Sequence, residues 1–276
     1  NECLDYLEKN NDVVCVEKRI YLKSYYEKEI SIAMNLKKID SKAPKMFYNI
    51  DEKLKELEEK LKINYNETQE KAIKGALNNN ITIISGGPGT GKTTIINAIV
   101  KLYIEKEKLG SADIMETIAL LAPTGRAAKK MNSSTGIPAY TIHRYLKWYK
   151  DSNEFVYNEF NKTHHKLIIV DEVSMIDVDL FNALLNGINS NIKLILVGDT
   201  FQLPSVGPGL VLNELIESDY FNYIPLNQIY RQSDNSYIPF LAKEIKNNDL
   251  SEEFLTKKDD YNFVNVDSSN IKKAIM

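Results

Sequence analysis

The sequence is poor in several things that would have set its class at once. No stretch approaches the roughly 20 apolar residues a membrane-crossing helix needs, and the amino-terminal residues carry no apolar leader core. A soluble cytoplasmic protein with no membrane partner is therefore expected. Cysteine is nearly absent: Cys3 and Cys15 form neither a C-x-x-C pair nor a metal-spaced cluster, which excludes a disulfide framework and suits a reduced compartment. There is no internal repeat and no low-complexity tract. Nor is there a global excess of positive charge. The net charge is −3 over 276 residues, so any surface for nucleic acid has to be local. The first residue is Asn and not Met, so the start is expected to have been cut by processing or by design.

One further absence is informative. From Thr117 to Lys150 the chain has no Asp or Glu, yet it holds Arg126, Lys129, Lys130, Arg144, Lys147 and Lys150. Tyr140, Tyr145, Trp148 and Tyr149 are interleaved with the second half of that set.

What is present reads as a globular α/β chain, 43% hydrophobic and 26% charged. Residues 1–62 are expected to be mostly helical: a short helix around Leu4 and Leu7, a small hairpin over 13–22, a helix from Tyr25 to Ile39, and a charged, solvated connecting helix from Asp51 to Lys62. From Asn66 the pattern changes. A helix over 67–77 precedes an apolar strand at 81–84, and a helix over 93–108 follows. Further apolar runs stand at 118–122, 167–170, 194–197 and 223–226. Continuous apolar strands separated by helices are the mark of a parallel sheet covered on both faces. The expected fold over 63–232 is thus an α/β domain with a mainly parallel sheet flanked by helices, and with a small hairpin insertion near 146–166. The pattern weakens over 233–276, which is expected to open a second, truncated domain.

The strongest signal is Gly86-Gly87-Pro88-Gly89-Thr90-Gly91-Lys92-Thr93, which fits G-x-x-x-x-G-K-[ST] between a strand and a helix. Its glycines let the backbone turn its N–H groups onto phosphate oxygens, and the helix after it offers a positive end. The pattern predicts an ATP site made by Gly87, Pro88, Gly89, Thr90, Gly91, Lys92, Thr93 and Thr94. Lys92 is expected to reach the β- and γ-phosphates and Thr93 to ligate Mg²⁺. The run Leu167-Ile168-Ile169-Val170-Asp171-Glu172 delivers two carboxylates at a strand's carboxyl end. Asp171 is expected to hold Mg²⁺, and Glu172 to deprotonate the attacking water. His164 and His165 read as loop residues with no metal role. Trp148 and its neighbouring tyrosines fit either stacking on a base or, more simply, the packing of the insertion.

A P-loop does not by itself name a job. The segments around it carry more: Asn66-Glu67-Thr68-Gln69; Leu121-Ala122-Pro123-Thr124-Gly125-Arg126; Thr141-Ile142-His143-Arg144; Val170-Asp171-Glu172-Val173-Ser174-Met175; Val197 to Gly209; and Gln228-Ile229-Tyr230-Arg231-Gln232. In this order they closely resemble the RecD-like branch of the superfamily 1 DNA helicases over roughly 64–232. The resemblance implies that Gln69 reads the adenine edge, that Gln202 senses the γ-phosphate and that Arg231 stabilises transition-state charge. It places single-stranded DNA on Thr124, Gly125, Arg126, Thr141 and His143, and suggests a strand-separating role for the insertion. It also implies 5′→3′ movement, in repair or recombination, and a stand-alone type more than a subunit of an exonuclease V complex. Because no second set of motifs follows Gln232, the sequence is expected to bind ATP and Mg²⁺ but hydrolyse slowly and not unwind DNA alone. Two other classes stay open: a nucleotide or polynucleotide kinase, which would need an arginine-rich lid, and a non-catalytic, nucleotide-regulated DNA-binding module.

Overall fold

The computed structural model describes residues 2–43, 46–152, 154–227, 237–246, 248–267 and 270–271. The chain divides into two compact units, one formed by Asn1–Gly86 with Lys92–Asn227 and the other by Gly87–Gly91 with Gln228–Met276.

In chain order, the larger unit opens with α1 (Glu2–Lys9), the hairpin β1 (Val13–Val16) and β2 (Arg19–Leu22), α2 (Lys23–Asp40), α3 (Ile50–Leu61) and α4 (Glu67–Asn78). Then come β3 (Ile81–Gly86), α5 (Lys92–Glu107), α6 (Ser111–Thr117), β4 (Ile118–Ala122), α7 (Gly125–Thr135), β5 (Ala139–Thr141) and α8 (Ile142–Tyr145). The hairpin β6 (Trp148–Tyr149) and β7 (Glu154–Phe155) is followed by β8 (Leu167–Val170), a 3₁₀ turn at Val173–Met175, α9 (Val178–Gly187), β9 (Lys193–Gly198), α10 (Val211–Glu217) and β10 (Asn222–Leu226).

Six of these strands form one sheet in the order β10-β3-β9-β8-β4-β5, and every pairing in it is parallel. The apolar strands are buried throughout because each face has its own core. Successive side chains alternate between the cores, as a pleated strand requires. Ile84, Leu120, Ile169, Ile195 and Val197 face α3, α4, α5 and α7. Ile83, Leu121, Ile168, Val170, Leu194 and Leu196 face α2, α8, α9 and α10. Helix α5 is buried almost all round, through Ile95, Ile96, Ile99, Val100 and Leu102, so it is fixed as firmly as the strand before it. The edge strand β10 contains Pro225, which an edge tolerates because one side of it needs no ladder donor.

The amino-terminal helices belong to these same cores. Ile32, Leu36 and Ile39 of α2 join the core under α9, where Lys28 pairs with Asp179 at 2.6 Å and Asn35 donates to Asn186 at 2.9 Å. Helix α3, expected from its charge to be a solvated connector, buries Ile50, Leu54 and Leu57 in the core under α4 and α5. A single stripe at spacings of three and four suffices to dock a helix whose other faces are charged.

In the smaller unit, α11 (Ile238–Lys246) is followed by a 3₁₀ turn at Glu252–Leu255 and a lone bridge between Lys258 and Tyr261. Asp260 accepts from the Tyr237 N–H at 3.0 Å, and the rings of Tyr237 and Tyr261 lie 5.2 Å apart.

Candidate nucleotide site and the strand ends beside it

A parallel sheet sends all its carboxyl ends to one side, and that is where ligands of such folds collect. Here β3 ends at Gly86, β9 beside it runs into Asp199, and β8 beside that runs into Asp171. Lys92 starts α5 and donates from Nζ to the Gly86 carbonyl. Its charge is felt by Asp199, Glu172 and Asp171. Burial nevertheless lowers the Lys92 ammonium below the usual lysine range, against the pull of those three carboxylates. The Asp171 carboxyl is pushed the other way. Burial raises it above the ordinary carboxylate range and Glu172 adds to this, while Lys92 and Lys130 oppose.

Asp171 and Glu172 are locked by local geometry. Asp171 Oδ1 accepts from the Glu172 N–H at 2.9 Å. Glu172 adopts a left-handed backbone, φ 56° and ψ 41°, as the strand turns into the 3₁₀ helix. A non-glycine residue held there costs on the order of 1 kcal/mol or more. Glu172 Oε2 and Ser174 Oγ are buried with no hydrogen-bond partner. Orphaned polar atoms next to Asp171 in the chain are what a site built for a polar ligand would leave.

The loop Gly87–Gly91 joins β3 to α5. Gly89 and Gly91 have φ of 77° and 86°, values that exclude most side chains, and Thr90 Oγ1 donates to the Gly87 carbonyl at 2.9 Å. Thr93 is half-buried and Thr94 exposed, both in the first turn of α5. Among the described residues no three His, Cys, Asp or Glu side chains converge as a metal cage. The donor set does fit Mg²⁺ of the kind held by one or two carboxylates together with phosphate oxygens and water, since Lys92 and Lys130 leave the three carboxylates of Asp171, Glu172 and Asp199 in excess.

Gln69 is buried and closes a capping box at the start of α4. Its Oε1 accepts from the Asn66 N–H at 3.2 Å, while Asn66 Oδ1 accepts from the Gln69 N–H at 2.7 Å. Gln202 is half-buried, and its N–H reaches the Asp199 carbonyl at 3.1 Å. Arg231 lies outside the described residues.

The predicted DNA residues separate into two kinds. Thr124 and Thr141 stand at the carboxyl ends of the paired strands β4 and β5, where Ala122 and Thr141 are in register. Each caps a helix: Thr124 Oγ1 accepts from the Ala127 N–H at 3.3 Å, and Thr141 Oγ1 from the Arg144 N–H at 3.2 Å. Gly125, Arg126 and His143 are exposed. The His143 ring packs edge-on against Trp148 at 5.9 Å and lies 5.9 Å from Phe155, so it is tied to the hairpin.

Sequence reasoning gave no role to Asp199 or Lys130. Asp199 had the same signal as Asp171, an acid at the end of an apolar strand. Lys130 sits on α7 within the acid-free stretch, and only the fold brings its charge to bear on Lys92 and Asp171.

Fold and strand-end chemistry together define a P-loop nucleotide-binding α/β domain. The AAA domain family matches residues 69–208, about half of the chain, and the chain belongs to that family. Among curated relatives, it is 37% identical over 168 residues to the RecBCD enzyme subunit RecD of Mycolicibacterium smegmatis, covering 55% of this chain and 30% of that protein. It is 39% identical over 153 residues to the ATP-dependent RecD2 DNA helicase of Deinococcus radiodurans, covering 55% of this chain and 20% of that protein. The chain thus spans under a third of either relative's length. Among solved structures, the Pif1 helicase from Candida albicans shares the fold with a TM-score of 0.52 at 21% identity, over 69% of this chain and 46% of that one. These relatives agree with the RecD-like resemblance carried by the motifs. Among the described residues no helix is long and apolar enough to cross a membrane.

Proposed function

We propose that this chain is the nucleotide-hydrolysing motor domain of a RecD-like DNA helicase, driven by ATP with Mg²⁺ and engaging single-stranded DNA. The observation that supports it most is the convergence of Lys92, Asp171, Glu172 and Asp199 at the carboxyl ends of three adjacent parallel strands. Nucleotide binding itself goes with the family and the P-loop.

In this reading Lys92 leaves its carbonyl partner for the β- and γ-phosphates, and the loop Gly87–Gly91 presents its N–H groups to them. Thr93 and Asp171 would hold Mg²⁺, which when bound neutralises charge on the phosphates. Glu172 orients and deprotonates the water that attacks. Gln202, anchored to Asp199 through its backbone, senses the γ-phosphate, and Arg231 stabilises the charge of the transition state. Gln69 reads the adenine edge through the amide that also caps α4. Thr124, Gly125, Arg126, Thr141 and His143 hold DNA phosphates without sequence preference. Unwinding, its 5′→3′ direction and any partner subunits are proposals for the whole protein, with stand-alone action favoured over an exonuclease V-type complex.

The test is ATP hydrolysis with and without single-stranded DNA, with Lys92→Ala as control. Stimulation by DNA that the alanine variant lacks supports the motor. Hydrolysis indifferent to DNA, or phosphoryl transfer to a nucleotide acceptor, replaces it with a non-motor P-loop enzyme.

A further inference from the structure

A pocket of about 260 Å³ lies at the foot of the β6–β7 hairpin. It opens beside Ile118 and Ala119, at the start of β4, and so at the opposite end of that strand from Thr124. None of the residues assigned to the nucleotide or DNA sites lines it.

Its walls are aromatic and cationic. Tyr140, Tyr145 and Tyr157 face it together with Arg144, Lys147 and His165. The Arg144 guanidinium lies over the Tyr140 ring at 5.2 Å, and Lys147 Nζ over the Tyr157 ring at 4.9 Å. Each cation is therefore held on a ring at the pocket wall. Among the described residues neither is within ion-pair distance of a carboxylate, and the acid-free stretch from Thr117 to Lys150 supplies none. The back of the pocket is fixed: Tyr145 Oη donates to Thr163 Oγ1 at 2.7 Å and lies 3.1 Å from His165 Nδ1. Burial lowers the pKa of His165, so near neutrality its ring offers hydrogen bonds and no charge.

A ligand suited to this lining is flat, apolar on its faces and anionic at one end. A nucleotide has that chemistry: rings stack on the base, and arginine or lysine meets the phosphate. The volume is enough for a single base. We propose that this pocket captures a single unstacked base of single-stranded DNA, with the adjoining phosphate on Arg144 and Lys147. The proposal rests on the reading of the chain as a single-stranded DNA motor, and adds to it a base-holding point outside the phosphate track.

The test uses the unaltered protein and an oligonucleotide of 5-iododeoxyuridine, photocrosslinked and mapped by mass spectrometry. Crosslinks are expected at Tyr140 or Tyr157. In parallel, Tyr140→Ala/Tyr157→Ala is expected to weaken binding of oligo(dT) on the order of tenfold, while binding of an abasic strand of equal length stays unchanged. Crosslinks confined to other residues, with the double variant binding both strands as the parent does, overturn the pocket and leave the DNA reading standing. Equal crosslinking of these tyrosines by free 5-iododeoxyuridine monophosphate makes the site one for a free nucleotide and overturns strand capture. Failure of any oligonucleotide to bind overturns both proposals.

Discussion

Asp171 Oδ1 accepts a hydrogen bond from the Glu172 backbone N–H at 2.9 Å, and that bond pins a residue whose own backbone is left-handed. The two carboxylates are thus aimed differently by one turn of chain. The first stays with the strand end, and the second keeps a buried oxygen without a partner.

This separates their variants. Asp171→Asn keeps the oxygen that accepts the Glu172 N–H, so the fold should be unchanged while the charge is lost. Binding of a fluorescent ATP analogue should then lose most of its Mg²⁺ dependence. Glu172→Gln should bind the analogue as before but hydrolyse ATP about 10²- to 10³-fold more slowly. Equal loss of binding in both variants would contradict the division of labour.

Thr124 tests capping against DNA contact. Thr124→Ala removes the acceptor for the Ala127 N–H and should cost about 1 kcal/mol. Thr124→Asp caps the helix equally well but sets a negative charge against the phosphates. Its melting temperature should match or exceed the parent's, while affinity for single-stranded DNA falls steeply. Unchanged DNA affinity in the aspartate variant would remove Thr124 from the track.

Two glycines should behave in opposite ways. A Cβ on Gly207 would stand 2.1 Å from Asp177 Oδ2, and Asp177 caps α9 through the Leu180 N–H at 2.8 Å. Gly207→Ala should therefore destabilise by about 1–3 kcal/mol. A Cβ on Gly125 meets nothing within 4 Å, so Gly125→Ala at the start of α7 should be neutral or stabilise by up to about 1 kcal/mol. Thermal unfolding of the pair decides it.

Glu29 predicts a pH dependence. Burial raises its carboxyl above the ordinary range, and Glu214 adds to this. The folded chain then holds this proton more tightly than the unfolded chain does. Stability falls as pH rises from the unfolded value towards the folded one, and the penalty persists above it. Glu29→Gln should raise the melting temperature at neutral pH, with the gain vanishing below the ordinary carboxylate range. A gain that is constant with pH would rule out the ionisation.

The central strands were legible because burial on both faces leaves isoleucine, leucine and valine no polar neighbours, as in Leu167–Val170 and Leu194–Val197. The P-loop was legible because close backbone approach to phosphate admits few residue types. Strand β5 was missed: three residues, Ala139 to Thr141, paired only on one side with β4, carry no period. Asp199 was missed because an acid ending a strand looks like a loop residue until β9 is known to lie between β3 and β8. The burial of α3 was missed because its charged faces outnumber its leucine stripe, and composition averages over a helix whereas docking uses one side.

Strand β10 runs parallel to β3 with Leu226 opposite Gly86, and the Tyr223 hydroxyl meets Ser85 Oγ at 2.8 Å. Tension on the chain beyond Leu226 would load this ladder in shear, all of its backbone hydrogen bonds resisting together instead of peeling one by one. The strand that takes up such a force is the one that leads into Gly87–Gly91. A pull along the edge strand is therefore passed first to the strand in which the phosphate loop is rooted.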